Sequence, residues 1–377
     1  MGTKRCLKIL IALLLIFNIN ISAYSSGQSF TSPDSLVQIQ DSSIQKLREI
    51  SNNTISSTNI LTAPNWFYYA SDSGIVYCYD YAGNQKWIAE VLGVIKGNPI
   101  LYKDLLLIAT VEGDLYSINS NNGEILQVVG IGESITSDLS LIEIASSKTK
   151  IIGVALGTSE GNVFCYDAFT FELLWEKNIS KSPIISTPLA VNDKIIFLNS
   201  NSSLYCLNSK SGSLIWKYEL SNNGNKFPGN FPLWDGKNIF SLTSDGNLIA
   251  VDHMLGKRVW SAGTKGILNQ IYLNSDNKKL LLIDNKGMMK IYAAQNGKEL
   301  NKIDFKKSEL FSFIVAENQE NTLVGFSDGS LYTLNSKFVF RELLSPNQTP
   351  ITSINVINND EFMIKDINGK ITFYKIN

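Results

Sequence analysis

The sequence predicts an all-β fold, an eight-bladed β-propeller of four-stranded antiparallel blades in which an N-terminal strand closes the last blade. Three observations predict this fold: a phrase that recurs along the chain, turn-forming residues at the same places in each copy, and a length that suits eight copies. Four-stranded sheets that repeat about every 40 to 45 residues are typical of propellers.

The recurring phrase joins an apolar strand, a tight turn and a second strand. Examples are ASDSGIVYCYDYAGNQKW, GTSEGNVFCYDAFTFELLW and LTSDGNLIAVDHMLGKRVW. Such a turn favours glycine, which adopts a positive φ without strain. The fourth copy has Ser202 there, and the other seven have Gly74, Gly113, Gly161, Gly246, Gly287, Gly329 and Gly369. The average step between copies is about 42 residues, which is the length of one blade.

Each copy also contains the remaining parts of a blade. The second strand alternates and ends at an Asx residue whose side chain can bond the next turn: Asp80, Asn119, Asp167, Asn208, Asp252 or Asn335. A third strand leads in four copies to a tryptophan: Trp87, Trp175, Trp216 and Trp260. We expect these rings to pack one blade on the next, because large rings bury the most surface. The alternative is a stacking platform for a sugar or a quinone.

The two ends of the chain complete the count of strands. A further short strand lies upstream of each copy, which makes four strands per blade. Counted with its upstream strand, the last copy ends after its third strand, and residues 43–50 are left over ahead of the first copy, where residues 54–62 supply the first strand. We therefore expect residues 43–50 to close the last blade and so to remove an open sheet edge. The alternative for residues 43–50 is a short helix, because Gln, Lys, Leu, Arg and Glu favour one. The predicted propeller covers residues 41–377.

The N-terminal residues 1–25 have the pattern of a secretory signal peptide. Lys4, Arg5 and Lys8 precede an apolar run over residues 9–17, which is too short to cross a bilayer. An uncleaved anchor is the alternative. Residues 18–26, directly after the apolar run, contain no cysteine, so we expect no lipid attachment, and residues 26–40 are expected to be a flexible spacer. The sequence thus predicts an exported protein.

Composition excludes several classes of function. Lys and Arg number 33 against 34 Asp and Glu, so the chain lacks the basic excess of a nucleic-acid-binding protein. The single histidine, His253, is expected to be solvated in a turn, and no C-x-x-C pair is present for a zinc ribbon or a thiol redox site. Cys78, Cys165 and Cys206 occupy equivalent repeat positions and are expected to be separate, buried thiols.

The phrase D-G-x-L-Y-x-L-[DN]-x-x-x-G-x-x-x-W resembles the repeat of the pyrroloquinoline-quinone (PQQ)-like propellers over residues 41–377. That family includes quinoprotein dehydrogenases and a non-enzymatic branch, the BamB propellers of outer-membrane β-barrel assembly. Size, eight repeats and an export signal resemble the second branch. The resemblance implies a scaffold without catalytic residues, metal or cofactor. It also implies a monomer within a complex, with a protein partner such as the barrel-assembly core subunit, which would hold it at the outer membrane.

The alternative is a PQQ- or sugar-dependent periplasmic enzyme. The quinoprotein dehydrogenases carry vicinal cysteines and an acid cluster that holds calcium, and this chain has no Cys-Cys pair. Asp72, Asp245 and Asp328 fall at the same turn in different blades, so we expect them to form turns.

The irregular segment Ser221–Trp234 interrupts the repeat between blades four and five. It places Phe227 and Phe231 in a loop rich in glycine and proline, and aromatic side chains on such loops anchor protein partners. Phe227 and Phe231 are therefore the candidate partner-binding residues. The alternative for Phe231 and for Trp234, which we favour for Trp234, is a place in the next inner strand.

Overall fold

The computed structural model describes residues 44–145, 150–220, 231–243, 246–264, 268–284, 286–307, 313–317 and 321–376. Within these ranges the chain forms eight antiparallel sheets of four strands each and no helix. The predicted propeller fold is confirmed.

The strands follow the sequence copies blade by blade. In chain order the blades are Leu61–Thr62, Trp66–Ala70, Ile75–Asp80, Gln85–Glu90; Ile100–Tyr102, Leu105–Ala109, Asp114–Asn119, Ile125–Gly130; Ser140–Ala145, Lys150–Gly157, Asn162–Asp167, Leu173–Asn178; Leu189–Val191, Lys194–Leu198, Ser203–Asn208, Leu214–Glu219; Leu233–Trp234, Asn238–Leu242, Asn247–Asp252, Arg258–Gly263; Leu268–Leu273, Lys279–Asp284, Met288–Ala293, Glu299–Asp304; Phe313–Glu317, Asn321–Phe326, Leu331–Asn335, Phe340–Leu344; and Ile351–Val356, Glu361–Asp366, Ile371–Ile376, Ile44–Ile50.

The first strand of each blade lies innermost. Ser140–Ala145 contacts Leu189–Val191, which in turn contacts Leu233–Trp234, so first strands of neighbouring blades meet around a central channel. Apolar clusters fill the seams between blades rather than the inside of any one blade. The fourth strands therefore form the outer rim of the ring.

The tight turns have the conformation that the sequence predicts. Gly74 has a φ of 90° and Gly113 a φ of 103°, and Ser202, which replaces glycine in the fourth copy, has a φ of 59°. A Cβ on Gly113 would stand 2.2 Å from the carbonyl oxygen of Glu133, so the linker to the next blade also needs a glycine there. The Asx side chains bond the next turn as expected; Asp252, for example, accepts from the backbone N–H groups of Met254 and Leu255.

Four seams join a tryptophan to a glycine. The indole Nε1 donates to a backbone carbonyl in the next blade in the pairs Trp87–Ser120, Trp175–Ser209, Trp216–His253 and Trp260–Ala294. Each ring also lies against the turn glycine of that blade, namely Gly123, Gly212, Gly256 and Gly297, where a Cβ would stand 2.5 to 2.8 Å from an indole carbon. Blade-to-blade packing of the tryptophans is confirmed.

At two other seams the aromatic ring belongs to the following blade instead of the preceding one. Blade two has Gln127 in place of the tryptophan, and the turn of blade three has Phe171 in place of the glycine. Blades six and seven have Asn301 and Phe338 at the same positions. Both phenylalanines have a positive φ and pack on an apolar cluster of the preceding blade. The aromatic ring can therefore come from either side of the seam.

Ring closure uses the N-terminal strand. Ile44–Ile50 pairs antiparallel with Ile371–Ile376 and is the fourth strand of blade eight, so the helix alternative is wrong. The guanidinium carbon of Arg48 lies 4.0 Å from the centre of the Phe373 ring. The predicted first strand of blade one is shorter than expected, because only Leu61–Thr62 of residues 54–62 pairs in the sheet. Residues ahead of it bond the turn of blade one instead, where Asp72 N donates to the carbonyl oxygen of Ile55 at 2.9 Å.

A buried lysine adds to the closure of blade eight on blade one. The amine of Lys365 donates to the carbonyl oxygen of Ser56 at 2.7 Å and to Thr352 Oγ1 at 2.6 Å. Burial lowers the pKa of this amine to about 7, although Asp366 and Asp72 oppose the shift. The Ser353 hydroxyl also accepts from Ile60 N at 3.0 Å, so polar as well as apolar contacts hold the ring together.

Candidate interaction surface

The ring has two faces with different connections. In each antiparallel blade, the turn between the second and third strands and the linker to the next blade lie at the same end of the sheet. We call this end the linker face. The turns between the first and second strands and between the third and fourth strands lie at the other end, which we call the hairpin face.

A series of equivalent residues follows the inner edge of the linker face. Each lies two residues ahead of the first strand of its blade: Asn59, Asn98, Asp138, Thr187 and Phe231 in blades one to five. Asn59 N donates to Asn98 Oδ1 at 2.7 Å, and Asn98 donates to the Asp138 carboxylate from its backbone and side-chain nitrogens at 3.0 and 2.9 Å. Thr187 Oγ1 donates to the same carboxylate at 2.9 Å, so hydrogen bonds connect four consecutive blades.

Phe231 is the aromatic member of this series. Its ring has no polar group with which to continue the hydrogen bonds, and 40% of it is exposed. Phe231 precedes the strand Leu233–Trp234 and is not part of it. Trp234 lies in this inner strand, which is the alternative that we favoured for it. Phe227 lies outside the described residues. The structure thus places one of the two candidate aromatic residues, exposed, on the linker face.

An aliphatic patch that the sequence analysis missed lies on the same face, around the tight turn of blade one. Ile55, Leu92 and Val94 are 61%, 79% and 36% exposed. Ile55 and Val94 occupy equivalent positions in their linkers, because their carbonyl oxygens accept hydrogen bonds from the same turn position of two blades, Asp72 N and Val111 N. The corresponding carbonyls of three other linkers belong to Ser134, Pro183 and Pro350. Aligning the linkers would therefore have shown Ile55 and Val94 as the residues with a branched aliphatic side chain at this position.

The acidic turn residues are engaged in local contacts. Asp72 accepts from the backbone and side chain of Ser57 at 2.8 Å and pairs with Lys96. Burial opposes ionisation of Asp72, but these hydrogen bonds outweigh it, so its pKa lies below the ordinary value. Asp328 has the same balance, with Lys307 at 2.8 Å and with Ser330. Both act as turn and linker supports, as expected, and Asp245 lies outside the described residues.

The structure also shows where the three cysteines of the propeller and the histidine lie. Cys78, Cys165 and Cys206 are buried, unbridged thiols, and burial raises the pKa of each to about 12, which keeps them protonated. The His253 ring is in an exposed turn with Nδ1 2.7 Å from the carbonyl oxygen of Lys237. Within the described ranges no three His, Cys, Asp or Glu side chains form a group that could hold a metal ion. The same ranges contain no helix that is long and apolar enough to cross a membrane.

Comparison with known proteins identifies the family. The family described as outer membrane protein assembly factor BamB matches residues 49–187 and 159–337, which together span most of the eight blades. The chain belongs to the BamB family. The predicted resemblance to the PQQ-like propellers is thereby confirmed.

The fold agrees with a solved BamB structure. The crystal structure of BamB from Moraxella catarrhalis superposes with a TM-score of 0.71 and 16% identity over 88% of this chain and 99% of that one. BamB from Yersinia pestis is 24% identical over 230 residues, which are 58% of this chain and 56% of that relative. The chain thus spans little more than half the length of this curated relative.

A shorter part of the chain is similar to part of an enzyme. The dehydrogenase subunit of the quinone alcohol dehydrogenase of Acetobacter aceti is 34% identical over 93 residues, which are 21% of this chain and 12% of that protein. A match of this length is about two repeats long.

Proposed function

We propose that this protein is a non-enzymatic, periplasmic scaffold that assists the assembly of outer-membrane β-barrel proteins. The observation that carries the proposal is membership of the BamB family across most of the propeller. The expected partner is the core subunit of the barrel-assembly machinery. The signal peptide over residues 1–25 and the spacer over residues 26–40 are part of the proposal, since they account for export.

The linker face supports this role physically. A patch of exposed aliphatic side chains, as at Leu92 and Ile55, is a feature of protein-interaction sites, whereas a single exposed aliphatic side chain is ordinary. Both stand on linkers that the rigid blades hold in place, which limits the conformational entropy lost on binding. Phe231, at the inner edge of the same face, is proposed as an aromatic anchor, and Phe227 remains a predicted one.

Capture of a partner from a native envelope extract tests this proposal. We expect the immobilised wild-type protein to retain the barrel-assembly core subunit, detected by mass spectrometry. Leu92→Asp should weaken capture by about tenfold or more, because a carboxylate buried in an apolar interface costs well over 1 kcal/mol. The change should leave the thermal melt unaltered, since Leu92 is 79% exposed.

Leu255→Asp is the matched control. Leu255 is 66% exposed but lies in a turn of the hairpin face, between the third and fourth strands of blade five. Its substitution should leave capture intact. Capture that survives Leu92→Asp and fails in Leu255→Asp would place the partner on the other face, and failure of the wild-type protein to retain any assembly subunit would refute the proposal.

A quinone-dependent dehydrogenase is the second candidate, favoured by the match to the Acetobacter aceti subunit. We expect the purified protein to reduce no dye acceptor when PQQ, calcium and a range of alcohols or sugars are supplied. A quinoprotein dehydrogenase measured in parallel is the positive control. Dye reduction that requires PQQ and disappears on chelation of calcium would show an enzyme.

A further inference from the structure

The outer strand of blade two, Ile125–Gly130, differs from every other fourth strand in charge. Its sequence is ILQVVG, whereas the fourth strands of the other seven blades each contain at least one Lys, Arg, Asp or Glu. Charged residues on an edge strand are the usual protection against pairing with another chain. This strand lacks that protection.

The strand is open along its outer side. In the part of the chain that the structure describes, it pairs with Asp114–Asn119 and with no other strand. Its side chains Ile125, Leu126 and Val128 are 42%, 44% and 56% exposed. A row of backbone donors and acceptors flanked by aliphatic side chains is complementary to one kind of ligand, an extended peptide backbone.

Carboxylates stand at both ends of the strand. Glu124 directly precedes it and is exposed, and the carboxylate of Asp114 lies beside Gly130 at the other end. An extended segment with uncharged residues in the middle and a lysine or arginine at each end would match this arrangement. A second copy of this chain would not, because antiparallel pairing of the two edges brings Glu124 of each copy towards Asp114 of the other.

We propose that the outer edge of blade two binds an extended segment of a client polypeptide by strand addition. The preferred segment has apolar and small polar residues in its centre and basic residues at its ends. This proposal rests on the proposed function for the source of the segment, namely an incompletely folded barrel protein, because such strands alternate in polarity and have unpaired backbone groups until the barrel closes.

Two measurements on the full chain test the proposal with a synthetic peptide that alternates threonine and valine between terminal lysines. We expect saturable binding by fluorescence anisotropy and slower hydrogen exchange of the amides in residues 125–130. A peptide with a central proline should bind about tenfold or more weakly, since proline removes a backbone donor and does not fit the strand interior. A peptide with terminal glutamates should also bind more weakly.

The matched protein variants are Val128→Lys and Ile88→Lys. Ile88 holds the equivalent position in the fourth strand of blade one, is 49% exposed, and lies between Lys86 and Glu90. We expect Val128→Lys to weaken peptide binding by about tenfold or more and Ile88→Lys to leave it unchanged. Equal loss in the two variants, no protection of residues 125–130, or equal binding of the proline peptide would overturn the proposal.

Failure of strand addition can be distinguished from failure of the proposed function. Val128→Lys should still capture the barrel-assembly core subunit, because the edge of blade two is not on the linker face. Capture by the wild-type protein without any peptide binding would refute strand addition alone. Peptide binding without capture would refute the assembly role and leave a general strand-binding propeller.

Discussion

A chain that lacks residues 44–50 should lose cooperative unfolding or aggregate. The deletion leaves blade eight with three strands and exposes Ile371–Ile376 as an unprotected edge whose Ile371 and Phe373 are buried in the intact ring. It also removes Arg48 from the Phe373 ring and uncovers the aromatic cluster between blades eight and one. Circular dichroism melts and size-exclusion chromatography measure the effect.

Deletion of residues 26–38 is the control for the closure experiment. These residues precede every strand of the propeller, so the melt and the elution volume should match those of the intact mature chain. If both deletions are tolerated equally, the N-terminal strand is dispensable and closure of the ring does not depend on it.

Trp216→Ala should destabilise the protein by about 3–5 kcal/mol, because loss of a buried tryptophan combines a transfer cost with a cavity. The side chain is only 9% exposed, its Nε1 donates to the carbonyl oxygen of His253 at 3.1 Å, and its ring covers Gly256. The variant loses one of the four tryptophan–glycine contacts between blades. Thermal and urea unfolding report the change in free energy of unfolding.

Two further variants separate packing from ligand binding. Phe231→Ala removes an aromatic ring that is 40% exposed and should melt close to the wild type. Gly256→Ala attacks the contact of Trp216 from the other blade, since the new Cβ would stand 2.6 Å from indole carbons, and should also be destabilising. A stable Trp216→Ala protein that had lost its partner would show that the tryptophan is a binding residue.

The order of the strands could be predicted because each copy contains its own turn signals. Gly74 and its equivalents, together with the Asx residue that ends the third strand in six of the eight blades, mark the same turns in sequence and in structure. The closing role of residues 43–50 followed from the missing strand of the last copy, despite a composition that favours a helix. Pairing with Ile371–Ile376 supplies a ladder of backbone hydrogen bonds, interrupted by one bulge between Lys46 and Arg48, and outweighs that local preference.

The contacts between blades were less predictable. The tryptophans indicated packing, but their partners in the next blade depend on how the blades are rotated about the axis, which no single repeat determines. The seam between blades two and three is an example, since Gln127 replaces the tryptophan and Phe171 replaces the glycine. Neither residue stands out in the sequence as a contact between blades. The same holds for Leu92, whose exposure depends on the path of a linker.

The candidate binding residues were predicted only in part. Phe231 was selected because it interrupts the repeat, and the structure places it on the linker face at the inner edge of the ring. The patch of Ile55, Leu92 and Val94 went unnoticed, since aliphatic residues are expected throughout a β protein and only the structure shows which of them are exposed. The direction in which a side chain points from the ring of blades, rather than its residue type, distinguishes a surface residue from a core residue in this protein.

Site-specific photocrosslinking in living cells tests whether the linker face contacts the barrel-assembly core subunit. A photoreactive amino acid is introduced at Leu92 on the linker face and, in a separate strain, at Leu255 on the hairpin face, and the crosslinked products are identified by mass spectrometry. We expect a crosslink from position 92 to the barrel-assembly core subunit and none from position 255. A crosslink to that subunit from position 255 alone, or no crosslink to any assembly subunit from position 92, would contradict it.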